Sequence, residues 1–210
     1  LIIDIDRWVL QNACYQIKEW QQKSIASSSI SVSVNISAEL INEKGFLNYV
    51  ETTLEESQLQ PASLKLEITE RSMVPDNERT VELLSNLLNL GVQVQIDDFG
   101  IGYSSLGYLS HLPLGGLKID RSFVRGITNN DRQREIVNAI VSLTARLNVS
   151  VVAEGVETQE QMDYLKTIGC QFGQGFLIAE PLSSNDVPVW LSVYLAQLQN
   201  KNSVNETREC

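Results

Sequence analysis

The sequence predicts an α/β fold of the parallel (β/α)8-barrel class. Two observations carry this reading. Short runs rich in Val, Ile and Leu alternate with helical patterns at a spacing of about 20–35 residues, as in repeated βαβ units. All six strand candidates carry polar or charged residues at or just after their C-terminal ends. A barrel gathers such ends on one rim, whereas an open doubly wound sheet uses one or two loops at a single switch point.

The chain opens on a helical pattern in which Trp8, Val9, Ala13, Ile17 and Trp20 share one side. The first strand candidate, "ISVSVNIS" (30–37), carries Asn35, and the second, "LKLEITE" (64–70), carries Glu67 and Glu70. A helix follows in "TVELLSNLLNLG", with Val81, Leu84, Leu87 and Leu88 on one face and Gly91 as its stop. The third strand, "VQVQIDD" (92–98), ends in the adjacent pair Asp97 and Asp98, and the fourth, "GLKID" (116–120), carries Lys118 and Asp120. The helix "DRQREIVNAIVSLTARLN" presents Ile136, Val137, Ile140, Val141 and Leu147. It leads to "VSVVAEG" (149–155), which carries Glu154 and is followed by Glu157. A capping-box match, Thr158 to Gln161, opens a helix that closes on Gly169, and "CQFGQGFLI" (170–178) supplies Gln174.

Six strands do not close a barrel, and such a barrel takes about 250 residues against the 210 here. About two N-terminal strands are therefore expected to be absent from this chain. Residues 1–195 are expected to form one N-terminally incomplete domain, and 196–210 a loose polar tail ending in "NKNSVNETREC".

A formal net charge of −10 with no basic run argues against nucleic-acid polymers and anionic membrane surfaces as partners. A phosphate ligand would need metal cations or a few placed Lys and Arg side chains. No apolar run approaches the ~20 residues of a membrane span, and the N-terminus lacks a signal-peptide pattern. The cysteines Cys14, Cys170 and Cys210 are scattered, with no C-x-x-C pair, which points to a reducing cytoplasm and buried thiols at Cys14 and Cys170. The one histidine, His111, reads as a capping or packing residue, and a Ser-His-Asp triad is not available.

The predicted rim collects Asn35, Glu67, Asp97, Asp98, Asp120, Glu154 and Glu157. All are hard oxygen donors, which suit Mg2+ or Mn2+ rather than zinc. On a regular strand Asp97 and Asp98 point to opposite faces, and side by side they repel. Sharing two neighbouring cations resolves both problems, and a two-metal centre is the usual device for in-line attack at phosphorus. Lys118, two residues before Asp120 on the same face, could orient an attacking water or neutralise a phosphate oxygen.

In order and spacing, "VNIS", "LEITE", "DDFGIGYSSL", "LKIDRSFV", "VVAEGVET" and "GQGFLIAEPL" resemble the EAL-domain cyclic di-GMP phosphodiesterases over nearly all of residues 1–183. The resemblance implies a TIM-like barrel of the EAL type and hydrolysis of the bacterial second messenger cyclic di-GMP to linear pGpG by a water activated by two Mg2+ or Mn2+ ions. It implies Asn35, Glu67 and Asp97 as ligands of the first metal, with Asp97 bridging to a second metal held by Asp98 and Glu154. Lys118, helped by Asp120, would position the water, and Glu157 and Gln174 would contact water or substrate. Glu70 would anchor the loop 100–106. A homodimer and an upstream sensory or GGDEF domain, on the cytoplasmic side of any membrane, are the partners it implies.

Two departures stand out. The Glu-Ala-Leu stretch that names the family, which supplies a metal ligand and a phosphate-binding Arg, is absent, so activity is expected to require that segment. Ile101 stands where the family loop has Thr. A catalytically inactive receptor that binds cyclic di-GMP and signals through partner contacts is the alternative; receptors of that kind usually lose metal ligands, and every visible ligand position here is filled.

Overall fold

The computed structural model describes residues 1–23, 30–70, 78–101 and 112–206, the side chains of 198–206 excepted. His111, Cys210 and loop positions 102–106 lie outside the described residues.

A single parallel sheet runs β1 (Val32–Asn35), β2 (Leu64–Thr69), β3 (Gln93–Phe99), β4 (Gly116–Ile119), β5 (Ser150–Glu154) and β6 (Phe172–Gln174), with strand order equal to chain order. Each strand candidate overlaps one of them, and β3 runs one residue past its candidate, to Phe99. Helix α1 (Ile2–Gln22) precedes β1; α2 (Ala38–Ile41), α3 (Phe46–Ser57), α4 (Glu78–Leu90), α5 (Arg121–Val124), α6 (Asp131–Leu147) and α7 (Gln159–Thr167) lie between strands, and α8 (Val187–Glu206) follows β6.

The sheet is curled into a half-barrel. In a flat sheet β2 and β6, four places apart, would lie about 19 Å from each other. Yet the Lys65 ammonium from β2 sits 5.4 Å from the centroid of the Phe172 ring on β6. Alternation along each strand sorts the residues into two layers. Val34, Leu66, Val94, Leu117, Val151 and Ala153 face outward and are buried under the helices. Between them, Asn35, Glu67, Gln95, Lys118 and Glu154 face inward. The register aligns Asn35 with Glu67 and Glu154 with Gln174, so the polar residues form a band at one end of the arc.

Local chemistry sets the helix ends. Ser37, Asp120, Asn130 and Thr158 each accept backbone N–H bonds as N-caps, and Thr158 and Gln161 make the reciprocal capping box that their spacing predicts. The helices predicted to stop at Gly91 and Gly169 do so.

Three expectations need correction. The buried stripe of α1 is Asp6, Leu10, Cys14 and Ile17, while Trp8 is 65% exposed. The helix carries two apolar stripes, and the one holding Leu10 faces α3 and β1. Leu88 turns outward, and Leu84 and Leu87 with Thr80 fill the α4 contact. The polar C-terminal stretch continues α8 to Glu206 rather than forming a loose tail; after Pro188 it contains no Gly or Pro to break the helix.

Among the described residues no helix is long and apolar enough to cross a membrane. Cys14 is fully buried, and burial pushes its thiol up to about 12 from the ordinary 9.0. The unfolded thiol ionises first, so stability is intact below pH 9 and falls as pH rises toward the folded value. Urea midpoints at about pH 8 and about pH 11 should therefore fall less steeply in Cys14→Ala than in the parent. Equal slopes would rule out this linkage.

Candidate metal and phosphate site

The centre of the inner rim is the ammonium of Lys118, 4% exposed on β4. It donates to Glu67 Oε2 at 2.7 Å and Glu154 Oε1 at 2.6 Å, and stands 3.2 Å from Asp97 Oδ1. One cation thus ties together side chains from β2, β3 and β5. Burial by itself lowers the Lys118 value, but its hydrogen bonds to Glu154 and Glu67 and their charges outweigh this and hold it above the ordinary lysine range. Burial raises the Glu154 carboxyl, Lys118 pulls it back, and the neighbouring Asp97 and Glu67 charges push it up again, leaving it above the usual carboxylate range.

The pairing of β3 with β4 explains how Asp97 and Asp98 can be neighbours. Ile96 aligns with Leu117 and Phe99 with Ile119, so two aspartates stand opposite the single residue Lys118. That is a β-bulge, and it breaks the strict alternation of the strand. Asp98 takes a left-handed φ of +55°, and its N–H bonds Asp97 Oδ1 at 3.0 Å. With the alternation broken, one carboxylate oxygen each of Asp97, Asp98 and Glu154 lies within 4.8 Å of the others.

The donor set fits a divalent cation. It is made of carboxylate oxygens without His or Cys: three carboxylates gather about one ammonium, and Asp98 adds a fourth beside Asp97 and Glu154. Asn35 sits beside Glu67 in register at the end of β1. Asp120, buried just beyond β4, caps α5 by accepting from the Ser122 N–H at 2.8 Å. Glu70 accepts from the Gly100 N–H at 3.2 Å, tying the end of β2 to the start of the loop after the paired aspartates. Glu157 and Gln174 line a cavity of about 250 Å3 beside Glu154, together with Arg121 and Phe176.

Sequence reasoning assigned no role to Arg121 or Phe176. Both fall inside motifs quoted above, and the available signal was the two glycines that position them. A Cβ on Gly155, whose φ is +66°, would meet the Arg121 Cβ at 2.6 Å. A Cβ on Gly175 would meet the Val156 backbone at 2.3 Å.

The family profile described as "EAL domain" matches residues 1–181. The chain belongs to the EAL-domain family. It is 40% identical over 187 residues to the "Bifunctional diguanylate cyclase/cyclic di-GMP phosphodiesterase MucR" of Pseudomonas aeruginosa, covering 89% of this chain and 27% of that protein. To the same organism's "Cyclic di-GMP phosphodiesterase NbdA" it is 38% identical over 194 residues, 92% of this chain and 24% of that protein. The EAL chain thus spans about a quarter of the length of these curated relatives. Among solved structures, the EAL domain of Mycobacterium smegmatis DcpA superposes with a TM-score of 0.87 at 38% identity, covering 91% of this chain and 85% of that one. The "PaMucR Phosphodiesterase, c-di-GMP complex" gives 0.84 at 39% identity, covering 89% and 75%.

Lys118→Met would leave Glu67, Asp97 and Glu154 facing one another without their cation. Burial and the neighbouring charges already raise the Glu154 carboxyl, and without Lys118 nothing opposes them, so stability is kept below its unfolded value and lost as pH climbs through the folded one. Urea denaturation should show a loss of about 3–5 kcal/mol at neutral pH and a smaller one near pH 4. A loss independent of pH would mean that Lys118 acts through packing alone.

Proposed function

We propose that this EAL domain hydrolyses cyclic di-GMP to linear pGpG with the help of two divalent cations, Mg2+ or Mn2+. The observation that carries the reading is the convergence of Asp97, Asp98 and Glu154 beside the Lys118 ammonium at the rim of the half-barrel. The names of MucR and NbdA, and the ligand in the MucR complex, support the choice of substrate.

Asn35, Glu67 and Asp97 would hold one ion, and Asp97, Asp98 and Glu154 the other. When bound, the two ions supply the positive charge that stabilises the phosphoryl and departing oxygens. Water adds to phosphorus, the P–O3′ bond breaks, and the proton lost by the water ends on the 3′-oxygen. Lys118, pinned by its carboxylates, donates hydrogen bonds toward the attacking water or a phosphate oxygen. Asp120 holds the turn that follows Lys118, and Glu70 ties the loop after Asp98 to β2. Glu157 and Gln174 contact substrate from the cavity wall. We place the domain in the bacterial cytoplasm, as a homodimer working with a sensory or GGDEF domain. The Glu-Ala-Leu segment is required for turnover.

Incubation of the full-length protein with cyclic di-GMP and Mn2+, followed by chromatography, should yield pGpG. A chelator should abolish the product and excess Mn2+ restore it. Asp97→Asn should lose at least about 100-fold in rate, the upper end of what losing a mere outer-shell partner costs. Ligand binding without any product would replace the enzyme with a receptor.

A further inference from the structure

Below the Lys118 cluster the inner face of β4 is bare. Side chains on one face of a strand stand about 6.6 Å apart, and the inward position next below Lys118 is Gly116, which carries none. Its place is filled from the neighbouring strands. The register sets Gln95 of β3 on one side of Gly116 and Ser150 of β5 on the other. A Cβ on Gly116 would stand 2.7 Å from Gln95 Nε2, 3.1 Å from Gln95 Cγ and 2.6 Å from Ser150 Oγ. The Gln95 side chain thus lies across β4 in the layer just beneath Lys118.

What Gln95 supplies there is bulk. It is 1% exposed, yet its Nε2 has no hydrogen-bond partner among the described residues. A buried donor left unpaired costs stability, so a bond through Nε2 is not what holds the amide in this place. Ser150 is committed elsewhere, since its hydroxyl donates to the Gly115 carbonyl at 2.6 Å. Lys118 is the group that needs support from below. Its four-carbon stem is flexible, and its ammonium reaches Glu67, Asp97 and Glu154 on three different strands only while it stays at their level.

We propose that Gln95 is a positioning residue for Lys118. It occupies the volume that a side chain at 116 would have filled, and it keeps the lysine stem from sinking toward the floor of the half-barrel. The ammonium is thereby held level with its three carboxylates. The effect of Gln95 on turnover rests on the cyclic di-GMP reading above; its hold on Lys118 does not.

Acylation of Lys118 in the full-length protein, followed peptide by peptide by mass spectrometry, tests this hold without turnover. In the parent, Lys118 should react slowly. Gln95→Ala should speed its reaction by roughly 10-fold or more, because truncation of a buried side chain leaves a cavity. Gln95→Met, which returns an unbranched side chain of similar volume, should restore the parent rate. Leu84→Ala opens a cavity in the outer layer under α4 and should leave Lys118 as slow as in the parent. With cyclic di-GMP and Mn2+, Gln95→Ala should lose roughly 10- to 100-fold in kcat with KM unchanged, and Gln95→Met should recover it. An unchanged Lys118 rate in Gln95→Ala overturns the proposal. Equal acceleration in Leu84→Ala also overturns it, by assigning the effect to general loosening. A Gln95→Met as reactive as Gln95→Ala does so too, by assigning it to the amide. The positioning role and the enzyme fail separately: the expected labelling without hydrolysis removes only the enzyme, and hydrolysis with unaltered labelling removes only the positioning role.

Discussion

The Lys118 ammonium is the group around which the rim is organised, because it allows Glu67, Asp97 and Glu154 to converge. Three carboxylates from three strands meet within 3.2 Å of one nitrogen. Without a cation among them, burial and mutual repulsion would drive them apart or neutralise them. Lys118 itself is deeply buried, so it is in turn held charged only by those carboxylates. Such a cluster is weak evidence of net stabilisation, because desolvating the ions offsets much of their attraction. Its consequence is geometric: it fixes β2, β3, β4 and β5 to one another at the end where the polar band lies.

The irregular backbone sits at the same end. The bulge at Asp97 and Asp98, and the bare contacts at Gly155 and Gly175, all lie on the rim, while the outward-facing residues pack regularly under the helices. Bulges re-aim side chains and often stand beside active sites. Here the bulge gives a second carboxylate on β3 the same destination as the first. The proposed chemistry thus depends on departures from ideal strand geometry that the regular layer behind them can tolerate.

Much of this was legible in the sequence because it follows from period and position. Strand locations came from short apolar runs, and the polar band from charges at their ends. The capping box came from the spacing of Thr158 and Gln161. What the sequence did not disclose depends on tertiary choices. Which apolar stripe of α1 is buried depends on its neighbours, so Trp8 was misplaced. Alternation predicts opposed aspartates, and only the register with β4 reveals the bulge. Arg121 and Phe176 carry no local signal because their shared cavity arises where the ends of β4, β5 and β6 meet, across gaps in the chain that local patterns do not span.

Because strand order equals chain order, every sheet pairing joins a strand to the next one made. Among the described strands none waits for a partner beyond the next, so each closure spans a single strand-to-strand connection. The described strands can therefore assemble vectorially, from β1 toward β6, as the chain emerges during synthesis. Glu67 would form part of a nascent sheet before Lys118 arrives to balance it, and Gln174 joins last. The site is thus completed only once β6 has been made, and a nascent chain stalled before β4 would hold the rim's first carboxylates without their counter-ion.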